Sequence, residues 1–102
     1  MAEIIKLSRS VWESKCCSYP ARFKLFVTLL FLATLQAQRV EGEWLERGEL
    51  VTSFVRLAKA SSLTVKQVRR GLAALVKQGV ITTVSSPVHT VVTICNFDDY
   101  LI

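Results

Sequence analysis

Apolar positions along the chain fall into three patterns, and each predicts a different element. The densest run is Leu25 to Leu35, LFVTLLFLATL, inside a segment opened by Pro20. Proline is tolerated in a first helical turn, where its missing N–H would be unpaired anyway. The segment therefore predicts a helix from Pro20 to about Ala37, with Ser18 or Tyr19 ahead of it. Phe23, Phe26, Val27, Leu29, Leu30, Phe31, Leu32 and Leu35 make it apolar almost all round. Such a helix is central or lies at an interface. Self-association into a homodimer or a higher homo-oligomer is expected, with Phe23, Phe26, Leu30 and Phe31 as the candidate residues. The run of 11 residues, bounded by Lys24 and by Gln36, Gln38 and Arg39, falls short of the roughly 20 a membrane span needs. A buried helix is expected, with no membrane partner.

The second pattern has helical period. Val65, Val68, Leu72, Leu75 and Val76 step by 3, 4, 3 and 1, which places them on one helix face. Thr64 and Gln67 supply a capping box at its start, and Gly79 is a natural stop. A shorter helix precedes it, about Phe54 to Ala60, with Ser53 or Thr52 as N-cap and Phe54, Leu57 and Ala58 facing inward. Ser61-Ser62-Leu63 joins the two. Gly71, costly in a helix interior, marks a close contact with another helix.

The third pattern is β-branched. Val80 to Val84 and Thr90 to Cys95 read as strands, with Ser85 to His89 as their turn, so a hairpin is expected. Glu49 to Val51 predicts one more short strand. Gln38 to Gly48 reads as a loop turning at Gly42 and Gly48, anchored by Trp44 and Leu45. Met1 to Ser18 reads as an arm, with Ile4, Ile5, Leu7, Val11 and Trp12 to pack it down. The rest, residues 19–102, forms one domain, in keeping with the length of 102 residues and the usual domain size of roughly 100–150. Phe97 and Tyr100 fall on a short helical turn near the end.

Charge changes this picture more than composition does. The formal net charge is +5. Residues 1–49 hold seven basic and six acidic side chains, whereas residues 50–97 hold Arg56, Lys59, Lys66, Arg69, Arg70 and Lys77 and no acid. On the predicted helix after Thr64, the side opposite the apolar set carries Lys66, Gln67, Arg69, Arg70, Ala73, Ala74 and Lys77. Lys66, Arg70, Ala73 and Lys77 form one stripe, with Arg69 beside it. Long cations suit the phosphates of a duplex, a few donors can reach base edges, and small alanines allow close approach. Thr64, Ser61 and Ser62 can donate to phosphate at the helix start. Ser85, Ser86, His89 and Thr90 are candidate contacts at the hairpin tip.

Other chemistry is poorly stocked. The three cysteines, adjacent Cys16 and Cys17 and solitary Cys95, form no CxxC pair, and His89 is the only histidine. No zinc site and no complete disulfide framework are expected; the thiols read as reduced. Charges among Met1 to Arg9 interrupt any signal-peptide core, so a cytoplasmic location is expected. The carboxylates leave no acid/base pair to place, and Glu41, Glu43, Glu46 and Glu49 read as a solvated loop. No enzyme, cofactor or metal is expected.

The order helix, short strand, helix, tight turn, helix, hairpin predicts a mainly α fold with a small β-hairpin, a winged helix-turn-helix. Nearly the whole chain resembles the winged-helix N-terminal domain of phage replisome organisers and related DnaD-type primosome proteins. The resemblance is carried by KLSRSVWES, YPARFKLFVTLL, RGELVTSFVRLAKASSLTVKQVRRGLAALVKQGVI and TVVTICNFDDYL. Within these, Gly48, Leu50 and Ser53 match one signature, Leu57, Ala58, Leu63, Thr64, Val68 and Arg69 a second, and Ile94, Asn96, Phe97 and Tyr100 a third. It implies a self-associating DNA-binding domain in phage or mobile-element DNA replication initiation, meeting double-stranded DNA and other replication proteins. It assigns Lys66, Gln67, Arg69, Arg70 and Lys77 to DNA, joined by Thr64 and His89 as read from the residues. Such relatives often carry a second domain, and the sequence ends at Ile102. Two alternatives therefore stay open: a winged-helix transcriptional regulator, and a protein–protein assembly module that does not touch DNA.

Overall fold

The computed structural model describes residues 6–13 and 19–101. Within them lie α1 (Arg9–Trp12), α2 (Pro20–Leu32), β1 (Gln38–Val40), β2 (Glu43–Leu45), β3 (Glu49–Thr52), α3 (Phe54–Ser61), α4 (Val65–Lys77), β4 (Ile81–Ser85) and β5 (Thr90–Ile94). A 3-10 turn, Phe97–Tyr100, follows. The described chain is thus a compact mixed α/β fold of four α-helices and two small antiparallel sheets, β1-β2 and β3-β5-β4. "Mainly α" describes it only roughly, because a second hairpin stands where a loop was expected.

α2 is the central helix. Leu25, Phe26, Leu29 and Leu30 are fully buried against Leu57 of α3, Val68, Leu72 and Leu75 of α4, and Leu50, Ile81, Val92 and Ile94 of the sheet. Its apolar surplus is therefore mostly spent inside one chain. The expectation that Phe26 and Leu30 mediate self-association is corrected: neither has surface to offer a second copy. Phe23 is half-buried, edge-on to Trp12 at 6.1 Å, and Phe31, 58% exposed, is the one of the four largely at the surface.

α2 also ends sooner than expected. Ala33 is already extended, and the Thr34 backbone is hydrogen-bonded to the start of β3. Its N–H donates to the Glu49 carbonyl and its carbonyl accepts from Gly48 N–H, each at 2.8 Å. Gly48, at φ +89°, lies so close to Phe97 that an added Cβ would stand 2.9 Å from the phenylalanine Cβ. The sheet edge thus captures the backbone that would have continued the helix.

Gln38 to Leu45 forms a hairpin with register Gln38↔Leu45, Arg39↔Trp44 and Val40↔Glu43. Its two-residue turn has φ +50° at Glu41 and +83° at Gly42, the sign pair of a type I′ turn. A non-glycine residue there costs about 1–2 kcal/mol. The Glu41 carboxylate helps hold it, accepting two hydrogen bonds from Arg56 of α3, at 2.6 and 2.8 Å.

α3 is capped by Ser53, whose Oγ accepts from Arg56 N–H at 3.1 Å. Ser62, at φ +58°, makes the left-handed break after it, and Ser61, buried, satisfies its hydroxyl on the Leu57 carbonyl. Four residues from Ser61 to Thr64 thus turn the chain from one helix into the next. Gly71 allows α4 to meet α2: a Cβ there would stand 2.6 Å from Leu25 Cδ2. The described part of the arm is pinned to the other end of the chain. Leu7 bridges Leu101, Ser8 N–H donates to the Tyr100 carbonyl at 2.9 Å, and Val11 enters the core. Residues 1–5, 14–18 and 102 lie outside the described residues, with the expectations for Ile4, Ile5, Cys16 and Cys17.

Candidate nucleic-acid interface

α4 has 13 residues, a rod of about 20 Å. Val68, Gly71, Leu72 and Leu75 are its buried face. Val65 and Val76, expected inside, are partly exposed, so the inward stripe is narrower than the apolar pattern. The opposite face exposes Lys66, Gln67, Arg69, Arg70, Ala73 and Lys77. Ala74 is half-buried.

The two ends of that face differ in freedom. At the start, both arms of the capping box form. Gln67 N–H donates to Thr64 Oγ1 at 3.0 Å, and Thr64 N–H donates to Gln67 Oε1 at 2.9 Å. Capping uses the Gln67 carbonyl oxygen, and its amide NH2 is the group left to face a ligand. Thr64, exposed beside it, keeps a hydroxyl proton. Along the face, the Arg69 guanidinium lies 5.6 Å from the Phe54 ring centroid, a contact that biases its direction without using its charge.

Electrostatically, the acid-free segment is less uniform than its sequence. Arg56 is neutralised by Glu41, reaching across from the β1–β2 turn at 2.6 Å. The Arg56 hydrogen bond is the main cause holding the Glu41 carboxyl below its ordinary value of 4.5; desolvation comes next and opposes it, and the Arg56 and then the His89 charge add smaller lowering effects. Arg56 is raised in turn, first by the hydrogen bond to Glu41. Lys59, Lys66, Arg69, Arg70 and Lys77 have no ion-pair partner among the described residues. Four of these five lie on α4, so its outward face carries concentrated positive charge.

Two side chains that sequence spacing could not place join this face. Tyr19 and Arg22, at the start of α2, line a groove of about 240 Å³ with Gln67, Arg70 and Gly71 of α4. The Arg22 guanidinium stands 4.1 Å from the Tyr19 ring centroid. The α2–α4 crossing at Gly71 brings them there, and no local signal announces it.

His89 does not join the face. Its side chain is 16% exposed and turns toward the other hairpin, with Nε2 3.4 Å from Glu43 Oε1. Its Nδ1 is buried without a hydrogen-bond partner among the described residues. The expected exposed donor at the hairpin tip is corrected to a link between two hairpins. The four glutamates expected in a solvated loop are likewise engaged. Glu41 holds Arg56, Glu43 faces His89, Glu46 accepts from Trp44 Nε1 at 2.9 Å, and Glu49 accepts from Thr93 Oγ1 at 2.8 Å.

The β4–β5 tip itself is uncharged from Gln78 to Phe97, apart from His89. Val84 and Val88 stand 71% and 83% exposed. Between α4 and the hairpin runs a groove of about 380 Å³, walled by Phe54, Leu72 and Val76 and edged by Arg69, Thr83 and Ser85. A third groove, about 390 Å³, lies at the far end of α2 between Phe31 and Leu35 and the β1–β2 hairpin. Among the described residues no three potential metal ligands cluster, and no helix is long and apolar enough to cross a membrane. Compared with protein-family models, with curated proteins and with solved structures, the chain matches none of them.

Proposed function

We propose that the chain is a DNA-binding protein of winged helix-turn-helix type, with α3 and α4 as the two helices, α4 as the reading helix and β4–β5 as the wing. The observation that carries this is the outward face of α4, where Lys66, Arg69, Arg70 and Lys77 stand without an acidic partner among the described residues. Phosphates on both sides of a major groove would meet these cations, while the Gln67 amide would reach base edges. Arg22 would add a phosphate contact from α2. Thr64, at the helix start, adds a hydroxyl where the helix dipole favours an anion. His89 is left out of the interface.

A role in replication initiation of a phage or other mobile element, alongside further replication proteins in the cytoplasm, is part of the proposal and rests on the sequence resemblance. A transcriptional regulator would use the same face. The reading is of a binding protein and contains no catalytic step, cofactor or metal.

Duplex binding by fluorescence anisotropy tests the proposal. Arg69→Ala with Arg70→Ala is expected to weaken binding at least tenfold at low salt, with the fold intact by circular dichroism. Arg47→Ala, which removes a cation paired to Asp98 at 2.7 Å on another part of the surface, is expected to leave affinity unchanged. Equal affinities for all three proteins would refute the reading.

A further inference from the structure

The three-stranded sheet has two edges, and they are treated differently. At the β3 edge, Glu49 N–H donates to the Glu46 carbonyl at 3.1 Å and its carbonyl accepts from Thr34 N–H at 2.8 Å. β2 lies alongside, and Glu49 adds a charge. Natural sheets protect their edges in such ways against pairing with another chain. β4, the other edge, has none of these protections. Its five residues, Ile81-Thr82-Thr83-Val84-Ser85, contain no charge, proline or glycine. From Thr82 onward every side chain is exposed.

Hydrogen bonding fixes which backbone groups are free. Cys95 N–H donates to the Val80 carbonyl at 2.9 Å, and Ser86 N–H donates to the His89 carbonyl at 2.8 Å. Opposed residues alternate between bonded and non-bonded pairs. With the register Thr82↔Thr93 and Val84↔Val91, Thr82 and Val84 therefore turn their N–H and C=O toward β5. Ile81, Thr83 and Ser85 turn theirs outward, and among the described residues nothing bonds to them there.

We propose that the β4 edge pairs with the β4 edge of a second copy of this chain, antiparallel about a two-fold axis at Thr83. The outward set Ile81, Thr83 and Ser85 is symmetric about its middle residue, so one register satisfies it in both copies at once. Thr83 then faces Thr83 of the second copy, Ile81 faces Ser85, and Thr82 faces Val84. The Thr83–Thr83 pair is of a kind that favours strand pairing, and all of these residues except Ser85 are β-branched, the type enriched in strands. No like charges meet, although each chain carries a net +5, and this argues for a second copy over a charged foreign strand. The axis stands perpendicular to the joined sheet, so both copies of α4 lie on the same side of it. The pairing does not depend on whether α4 contacts DNA. One strand length buries less than the roughly 1,200 Å² of a stable complex, so the dimer is expected to form with a Kd on the order of 100 µM.

Sedimentation equilibrium and amide hydrogen exchange by NMR, from about 10 µM to about 1 mM protein, test this. The expected result is a mass rising from 11.4 kDa toward twice that value. The Thr83 and Ser85 amides should become protected only at the high concentration, while Thr82 and Val84 are protected throughout. Thr83→Pro removes an outward N–H that no intramolecular bond uses, and Thr83→Lys sets two ammonium groups face to face. Each is expected to weaken dimerisation at least tenfold; the lysine variant serves if the proline variant melts early. A monomer at the high concentration would overturn the proposal. So would a dimer in which the Thr83 amide exchanges freely, which would place the contact elsewhere, as at Phe31.

Discussion

α2 and α4 are both 13 residues long and pack against each other, yet they use their surfaces in opposite ways. α2 buries Leu25, Phe26, Leu29 and Leu30 and carries two cations, Arg22 and Lys24, both in its first half. α4 buries a narrow strip and exposes four cations. Helices of equal length in one core therefore divide the work, one as a central post and the other as a presenting face. The apolar pattern of α2 did not reveal which residues face inward, because every side qualified. The amphipathic pattern of α4 did, because only one side qualified.

The comparison yields predictions of decreasing size. Phe26→Ala should be the most damaging, costing about 3–5 kcal/mol in denaturant unfolding, as for other fully buried aromatic residues. A stable variant with altered self-association would instead return α2 to an interface. Next is the crossing point. Gly71→Val pushes a branched side chain against Leu25, and overpacking of this kind costs roughly 1–3 kcal/mol. Unchanged thermal unfolding would mean that the two helices do not approach as closely as 2.6 Å implies. Thr64→Ala removes one arm of the α4 cap and should cost about 1 kcal/mol, a loss that Thr64→Ser largely avoids.

The smallest effect concerns Glu41 and Arg56, which secure the β1–β2 turn against α3. The Arg56 hydrogen bond lowers the Glu41 carboxyl below 4.5. The folded state therefore favours the ionised form, and that contribution is present above the ordinary value and lost as pH falls through the lowered one. Because both groups are exposed, solvent screens the pair. Glu41→Gln should lower the melting temperature slightly at neutral pH, and the two melting curves should converge in acid. A constant difference across pH would show that the charge is not what holds the turn.

Legibility followed the range of the interaction. The Thr64–Gln67 box, the Ser53 cap, the β4–β5 hairpin and the inward Val68, Leu72 and Leu75 all rest on neighbours within one or two turns, and they stand where the pattern places them. The β1–β2 hairpin was hidden because Glu41-Gly42 is not the Asn-Gly or Asp-Gly signal of its turn type, and Arg56, 15 residues on, helps hold it. The early end of α2 depends on Gly48 and Glu49, a tertiary capture. The same holds for His89, which looks exposed beside Pro87 in sequence and is drawn toward Glu43. Within the candidate interface, Lys66, Arg69, Arg70 and Lys77 were readable from helical spacing. Arg22 and Tyr19 were not, since only the helix crossing carries them to α4.

The central claim is that the unpaired cations of α4 meet DNA phosphates. The most direct measurement is the salt dependence of duplex affinity for the native chain and for Lys66→Ala/Arg70→Ala. Each neutralised phosphate contributes about −0.9 to the slope of log affinity against log salt, so the four α4 cations with Arg22 predict a slope of roughly −4 to −5, its magnitude falling by about 2 in the double variant. Thermal unfolding of the variant should be nearly unchanged, because both side chains are exposed. A flat salt dependence, or the same slope in both proteins, would contradict the account.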